Sequence, residues 1–434
     1  MPEYFPEKVS SKNTPIFEIE IADKYMITIT PFRALRPEAD LAKQVASKPY
    51  DVLNSKEARI EAQGNPNSFL HITKSEIDLP EQTDTHTAAV YDKAKENLDA
   101  FISRKVLFRE SKPCYYIYRL VMNGYSQTGL VCGSSVADYE NGLIKKHEFT
   151  RPDKEMDRIN HILTTGAQTG NVFLAYKNVE DIDHLITKWT TERNPQYDFT
   201  ADDQVQHSIW IVNDDATISQ ISSLFKQQVP CSYIADGHHR AASAAKVKLS
   251  LGEKAGSGAD FFLTTLFPAN QLHIMDYNRV VKDLNGLDEA SFLEKIQSSF
   301  HIEPAGEAVR PSQAHEFGLY LPNRWYKLRA VPGIIPNDPI GVLDVSILQN
   351  NLLDPILGIK DQRTDKRIDF VGGIRGLEEL EKRVNSGEMA MAISLYPVSI
   401  EQLFRVADSG EVMPPKSTWF EPKLRSGLLV HKLE

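Results

Sequence analysis

The residues best suited to do chemistry stand together in one run. Asp236, Gly237, His238, His239 and Arg240 lie between two apolar stretches. On the near side Val229, Cys231, Tyr233 and Ile234 read as a short buried strand. On the far side Arg240 to Ala245, with Lys246 and Leu249 beyond, reads as an Ala-rich helix. A polar cluster at such a junction meets the free N–H groups and positive end of the helix, a ready anion site. Asp236 offers hard oxygen ligands to magnesium, Gly237 lets the backbone approach a phosphate, and Arg240 can grip phosphate oxygens with a bidentate fork. His238 and His239 can donate to phosphate or shuttle a proton. A plain helix cap would account for the acid, but it needs no His-His-Arg tail.

Two more clusters have the same flavour. Lys145-Lys146-His147-Glu148-Phe149-Thr150-Arg151 opens a helix expected over residues 153–162, and it mixes both charges with a histidine at a second strand-to-helix junction. Glu148 is the candidate base there, with a solvated charged turn as the alternative. In Met413 to Lys423 two prolines stiffen a turn that presents Lys416, Ser417 and Thr418, a composition suited to gripping a small molecule. The glycine-rich run at 372–376 is a weak phosphate signal. Walker-type, dinucleotide-fingerprint, nucleophile-elbow and zinc-protease motifs are all absent from the sequence.

The elements that must position these clusters alternate. A strand over 24–30 precedes a helix over 38–46, and 68–72 reads as a strand after the Asn65-Pro66-Asn67 turn. A long helix covers 83–105, and a hairpin over 115–136 turns at Asn123-Gly124. Strands at 171–176, 208–212 and 259–267 alternate with helices at 180–193 and 218–225. A further α+β set follows: a helix over 288–300, strands at 317–321 and 325–331, a helix over 343–353, and a closing strand and helix to 407. The fold expected is mixed α/β. With 434 residues it divides into an N-terminal α/β extension (1–112), a phosphate-binding core (113–270) and a C-terminal α+β domain (271–434) that lends a substrate loop.

Composition narrows the class. The net charge of −10 disfavours nucleic acid as the main partner, and 41% hydrophobic with 25% charged residues is ordinary for a folded soluble chain. Three widely spaced cysteines, Cys114, Cys132 and Cys231, fit neither a disulfide framework nor a zinc site. Met1 to Lys12 is polar and no later stretch has the length of a bilayer span, so a cytoplasmic protein without membrane contact is expected.

Taken in order, Lys146-His147-Glu148, Asp236-Gly237-His238-His239-Arg240 and Pro414-Pro415-Lys416-Ser417-Thr418 resemble the motifs of the ParB/sulfiredoxin-like free serine kinases. The whole chain also resembles a family of bacterial and archaeal proteins sharing the Asp-Gly-His-His-Arg motif. The resemblance implies a ParB/sulfiredoxin-like core and transfer of a phosphoryl group from ATP or ADP, with Mg2+, to the hydroxyl of L-serine. It implies Glu148 as the base and Asp236 as the metal ligand, with His239 catalytic. Gly237, His238, Arg240, Lys416, Ser417 and Thr418 would hold nucleotide phosphate or the serine carboxylate. Lys146 and Arg151 are secondary phosphate contacts in the same scheme. Sulfiredoxins need a cysteine immediately before the His-Arg pair. His238 stands there, so that chemistry is not expected. A nucleotidase and a non-catalytic nucleotide-binding regulator are the alternatives.

Overall fold

The computed structural model describes residues 26–252 and 256–434, and what the sequence suggested for Met1 to Lys12 and for Lys24 and Tyr25 lies outside them. The architecture is mixed α/β, built on two large sheets. The first has nine strands. Eight run in the order Ile144–Lys145, Ser232–Asp236, Val172–Tyr176, Phe261–Pro268, Tyr125–Ser135, Tyr115–Met122, Gln206–Val212 and Tyr197–Thr200. The ninth, Ile29–Thr30, pairs with Ser134 and Gly133, beyond the reach of the Tyr115–Met122 pairing. Ser232–Asp236 runs parallel to Ile144–Lys145, and Phe261–Pro268 runs parallel to Val172–Tyr176; the other pairings are antiparallel. The second sheet has six antiparallel strands, in the order Phe300–Ala305, Arg324–Ala330, Glu316–Leu321, Met391–Leu395, Tyr277–Val281 and Ile368–Gly372.

Alternation along the strands explains how the sheets are covered. Tyr115, Ile117, Leu130 and Cys132 face the helices Glu180–Glu192, Asp215–Gln228 and His238–Leu251 through Trp189, Phe225 and Ala241. Tyr116, Tyr118, Leu120 and Val131 face the other way, into a core shared with Phe317, Leu319, Ile393 and Leu395 of the second sheet and with Leu403 and Phe404. The hairpin at Asn123-Gly124 turns through two left-handed residues, φ 52° and 77°, the geometry of a tight two-residue turn. The last residues return to the first sheet's neighbourhood, where His431–Lys432 pairs with Ala167–Gln168.

Some expectations were wrong. Residues 68–72 hold no strand: Leu70–Thr73 is a short helix, and His71 bonds Asp78 through Nδ1 at 2.8 Å. Phe69, Leu70 and Ile72 are all buried, and a short apolar run of this kind has no period to separate strand from helix. The long helix begins at Ala88 rather than 83. The helix expected over 288–300 is Glu289–Ile296, and Phe300 opens a strand instead. Tyr197–Thr200, an edge strand, gave no signal beforehand. All three cysteines are free thiols, two of them buried.

Candidate active site

Strand Ser232–Asp236 delivers the central motif, and a register shift between Ile234 and Asp236 against Val172–Tyr176 re-aims its last residue. Gly237 follows at φ 99° and ends the strand abruptly, so that helix His238–Leu251 starts at once. A side chain there would also press on Arg240, whose Nε lies 3.3 Å from the position of an added Cβ.

Around Asp236 lies a chain of charges. Its Oδ2 meets Lys423 Nζ at 3.2 Å and an Arg240 Nη at 3.4 Å, and the same Arg240 nitrogen meets Asp51 Oδ2 at 3.0 Å. Burial works to raise the Asp236 carboxyl, but Lys423 and Arg240 prevail and hold it well below the usual carboxylate range. The other Arg240 Nη donates to the Asn171 carbonyl. Arg240 therefore spends its fork on the protein itself and is buried, whereas the sequence reading had it gripping phosphate.

The two histidines share one habit. His238 Nε2 accepts from the His147 amide at 3.4 Å, and His239 Nε2 accepts from the Arg151 amide at 3.0 Å. Burial pushes both rings below the usual histidine range, for His238 with help from neighbouring His147, whose own ring falls to about 4 for the same reason. Acceptor Nε2 atoms mean neutral rings with the proton on Nδ1. His238 Nδ1 lies 3.6 Å from Glu148 Oε2.

Glu148 thus sits over the first turn of the helix, its side chain 49% exposed. Desolvation by the surrounding protein raises its carboxyl above the ordinary value, opposed by Lys416 and assisted by Asp236. The third cluster arrives beside it, because the Met413 amide donates to the His147 carbonyl at 2.8 Å. In that loop Lys416 is left-handed at φ 56° and exposed, and Ser417 is buried with its hydroxyl on the Pro414 carbonyl at 2.6 Å. Thr418 is half-buried. Arg279, fully buried, clamps the loop from beneath by donating to the Pro415 and Lys416 carbonyls at 3.3 and 3.0 Å.

The fold brings Glu148, Asp236, Gly237, His238, His239, Arg240 and the Lys416 loop together around the start of helix His238–Leu251. Lys146 goes elsewhere, its ammonium 3.9 Å above the Tyr139 ring, and the Arg151 side chain pairs with Asp153. Magnesium on Asp236 fits this arrangement poorly: two cations already sit on its carboxylate and would repel a third. Among the described residues no group of three His, Cys, Asp or Glu side chains gathers as a metal site. Sequence reasoning missed Asp51, Lys423 and Arg279 as site residues. Lys423 stood at the end of the third cluster and could have been included; Asp51 and Arg279 sit in unremarkable strings.

A family model described as "Protein of unknown function (DUF1015)" matches residues 29–346. No curated protein matches the chain. Among solved structures, a free serine kinase in complex with AMP is similar at 12% identity and a TM-score of 0.34, covering 69% of this chain and 91% of its own. A conserved hypothetical protein from Pyrococcus furiosus is similar at 13% identity and 0.34, over 69% and 94%. SbnI with C-terminal truncation from Staphylococcus aureus is similar at 11% and 0.36, over 69% and 86%. No helix among the described residues is long and apolar enough to cross a membrane.

Proposed function

The chain belongs to the DUF1015 family, and we propose that it is a nucleotide-dependent small-molecule kinase that phosphorylates the hydroxyl of free L-serine. The observation that carries this reading is the position of Glu148. Its carboxyl lies 3.6 Å from His238 on the first turn of helix His238–Leu251 and in the field of Lys416, with its proton affinity raised. A base with raised affinity beside a helix N-terminus is what transfer from a nucleotide to an alcohol requires.

Glu148 takes the proton of the serine hydroxyl as that oxygen bonds to the terminal phosphorus, while the bond from phosphorus to the nucleotide oxygen breaks. The nucleotide leaves with the electron pair, as ADP from ATP or AMP from ADP. The amides of the helix's first turn and the exposed Lys416 ammonium neutralise the charge spreading over the phosphoryl oxygens. The half-buried Thr418 lies within the same loop and serves the nucleotide phosphates or the serine carboxylate. The Ser417 hydroxyl, buried and donating to the Pro414 carbonyl, holds the loop's shape instead of the ligand role expected for it. Asp236 and Arg240 act from below, as a fixed charge pair that orients the strand-to-helix turn. A magnesium ion carried by the nucleotide would neutralise phosphate charge without a ligand from Asp236. The half-exposure of Glu148 favours a second reading, in which water replaces serine and the protein is a nucleotidase.

Incubation with magnesium, ATP or ADP and pooled amino acids, followed by mass spectrometry, separates these readings. Phosphoserine supports the kinase, and free phosphate without it supports the nucleotidase. Nucleotide binding with neither product leaves a regulator. Glu148→Gln is expected to keep nucleotide binding while turnover falls by roughly 10²–10⁴; unchanged turnover removes Glu148 from its role.

A further inference from the structure

His239 has a use that follows from which of its ring nitrogens faces what. The segment from His147 to Arg151 carries Glu148 and Phe149, and both are exposed, Phe149 by 71%. The segment is held at its ends. At one end the His147 amide meets His238 Nε2 and the His147 carbonyl accepts from Met413; at the other the Arg151 amide meets His239 Nε2. The Thr150 hydroxyl adds a bond to Glu155.

We propose that His239 is a positioning residue: its neutral ring latches the Glu148 segment through the Arg151 amide, and protonation of the ring opens the latch in acid. The chemistry is that of a single lone pair. A neutral imidazole with its proton on Nδ1 has one acceptor, at Nε2, and a second proton there sets N–H against N–H. The groups facing the ring are Glu155 and Arg151 from helix Pro152–Thr165 and its lead-in, Asp51 from the turn Tyr50–Val52, and Arg240 on the same helix. Burial, seconded by Arg151 and Arg240, outweighs Glu155 and Asp51, so the latch opens below the ordinary histidine range. The consequence for turnover rests on Glu148 being the base; the latch itself does not.

Hydrogen exchange of residues 147–151 in the full chain, corrected for the intrinsic rate, tests the latch between about pH 4 and 8, a window extended into acid because the ring's affinity for a proton is lowered. Protection of the wild type is expected to fall on acidification. His239→Gln places a non-titrating oxygen near the Nε2 position and should stay protected in acid. His239→Ala should lose roughly tenfold in protection at neutral pH and converge with the wild type in acid. Equal protection in wild type and His239→Ala at neutral pH overturns the latch. If the alanine variant does not fold, an acid loss in His239→Gln equal to that of the wild type overturns it instead. The phosphoserine assay then reads the second consequence: on acidification kcat of His239→Gln should fall less than that of the wild type while KM moves alike. Identical acid limbs overturn the positioning role. Exchange that follows the latch pattern while no phosphorylated product forms refutes the kinase reading and leaves the latch standing.

Discussion

Arg240 and Arg279 are both buried guanidinium groups beside the candidate site, and opposite chemistry holds them. Arg240 lies between two carboxylates, Asp51 at 3.0 Å and Asp236 at 3.4 Å; burial acts to release its proton, but the two acids win and its proton is held more tightly than usual. Among the described residues no carboxylate pairs with Arg279. It donates to the Tyr277, Pro415 and Lys416 carbonyls and to Gln362, lies 5.2 Å from the Phe370 ring, and is pulled down to about 10 by burial. The first is a charge locked into a network that fixes the turn at Gly237. The second is a fork used for its shape: its donors reach successive carbonyls and hold a loop with a left-handed lysine in place. Buried charge serves orientation at both places, but only the Arg240 network includes carboxylates, each offset by a cation.

That contrast can be broken. Arg240→Met strands Asp51 and Asp236 beside an apolar group, and should cost about 3 kcal/mol in denaturant titration, the low end for a broken buried pair because both acids keep some solvent contact. A loss near zero would mean that Lys423 alone satisfies Asp236. Arg279→Met removes an unpaired buried cation as well as its hydrogen bonds, so the two effects partly cancel. The expected loss is about 1–2 kcal/mol, with hydrogen exchange at residues 413–417 rising. If stability drops as far as in Arg240→Met, the two arginines are not different in kind. Asp51→Asn sharpens the comparison at the small end. Asp51 is half-exposed and its pair is partly screened, so about 0.5–1 kcal/mol should be lost, and less at high salt.

Much of the fold was legible in the residues. Tyr115 to Val121 alternates apolar faces, Asn123-Gly124 names its turn, and the alanines after Arg240 make a helix that buries closely against a sheet. Apolar periodicity and turn chemistry act over a few residues, so a linear string displays them. Ser68 to Ile72 defeated that reading because five apolar-rich residues carry no period, and the packing around them chose the helix. In the site, the Asp-Gly-His-His-Arg run, Glu148 and the Lys416 turn could be singled out by type. What each side chain touches could not.

The sequence by itself determined which chemical groups the candidate site holds: an acid before a glycine, a helix start rich in nitrogen donors, a glutamate and a lysine on separate turns. Only the tertiary structure decided their use. Arg240 turned inward to Asp51, the histidines gave Nε2 to backbone amides rather than to a ligand, and Lys423 closed on Asp236 from 187 residues away. The physical reason is range. Helix, strand and turn preferences are settled by neighbours in the chain, whereas the state and direction of a buried charge depend on whichever opposite charge, carbonyl or amide the fold happens to bring within a few ångströms.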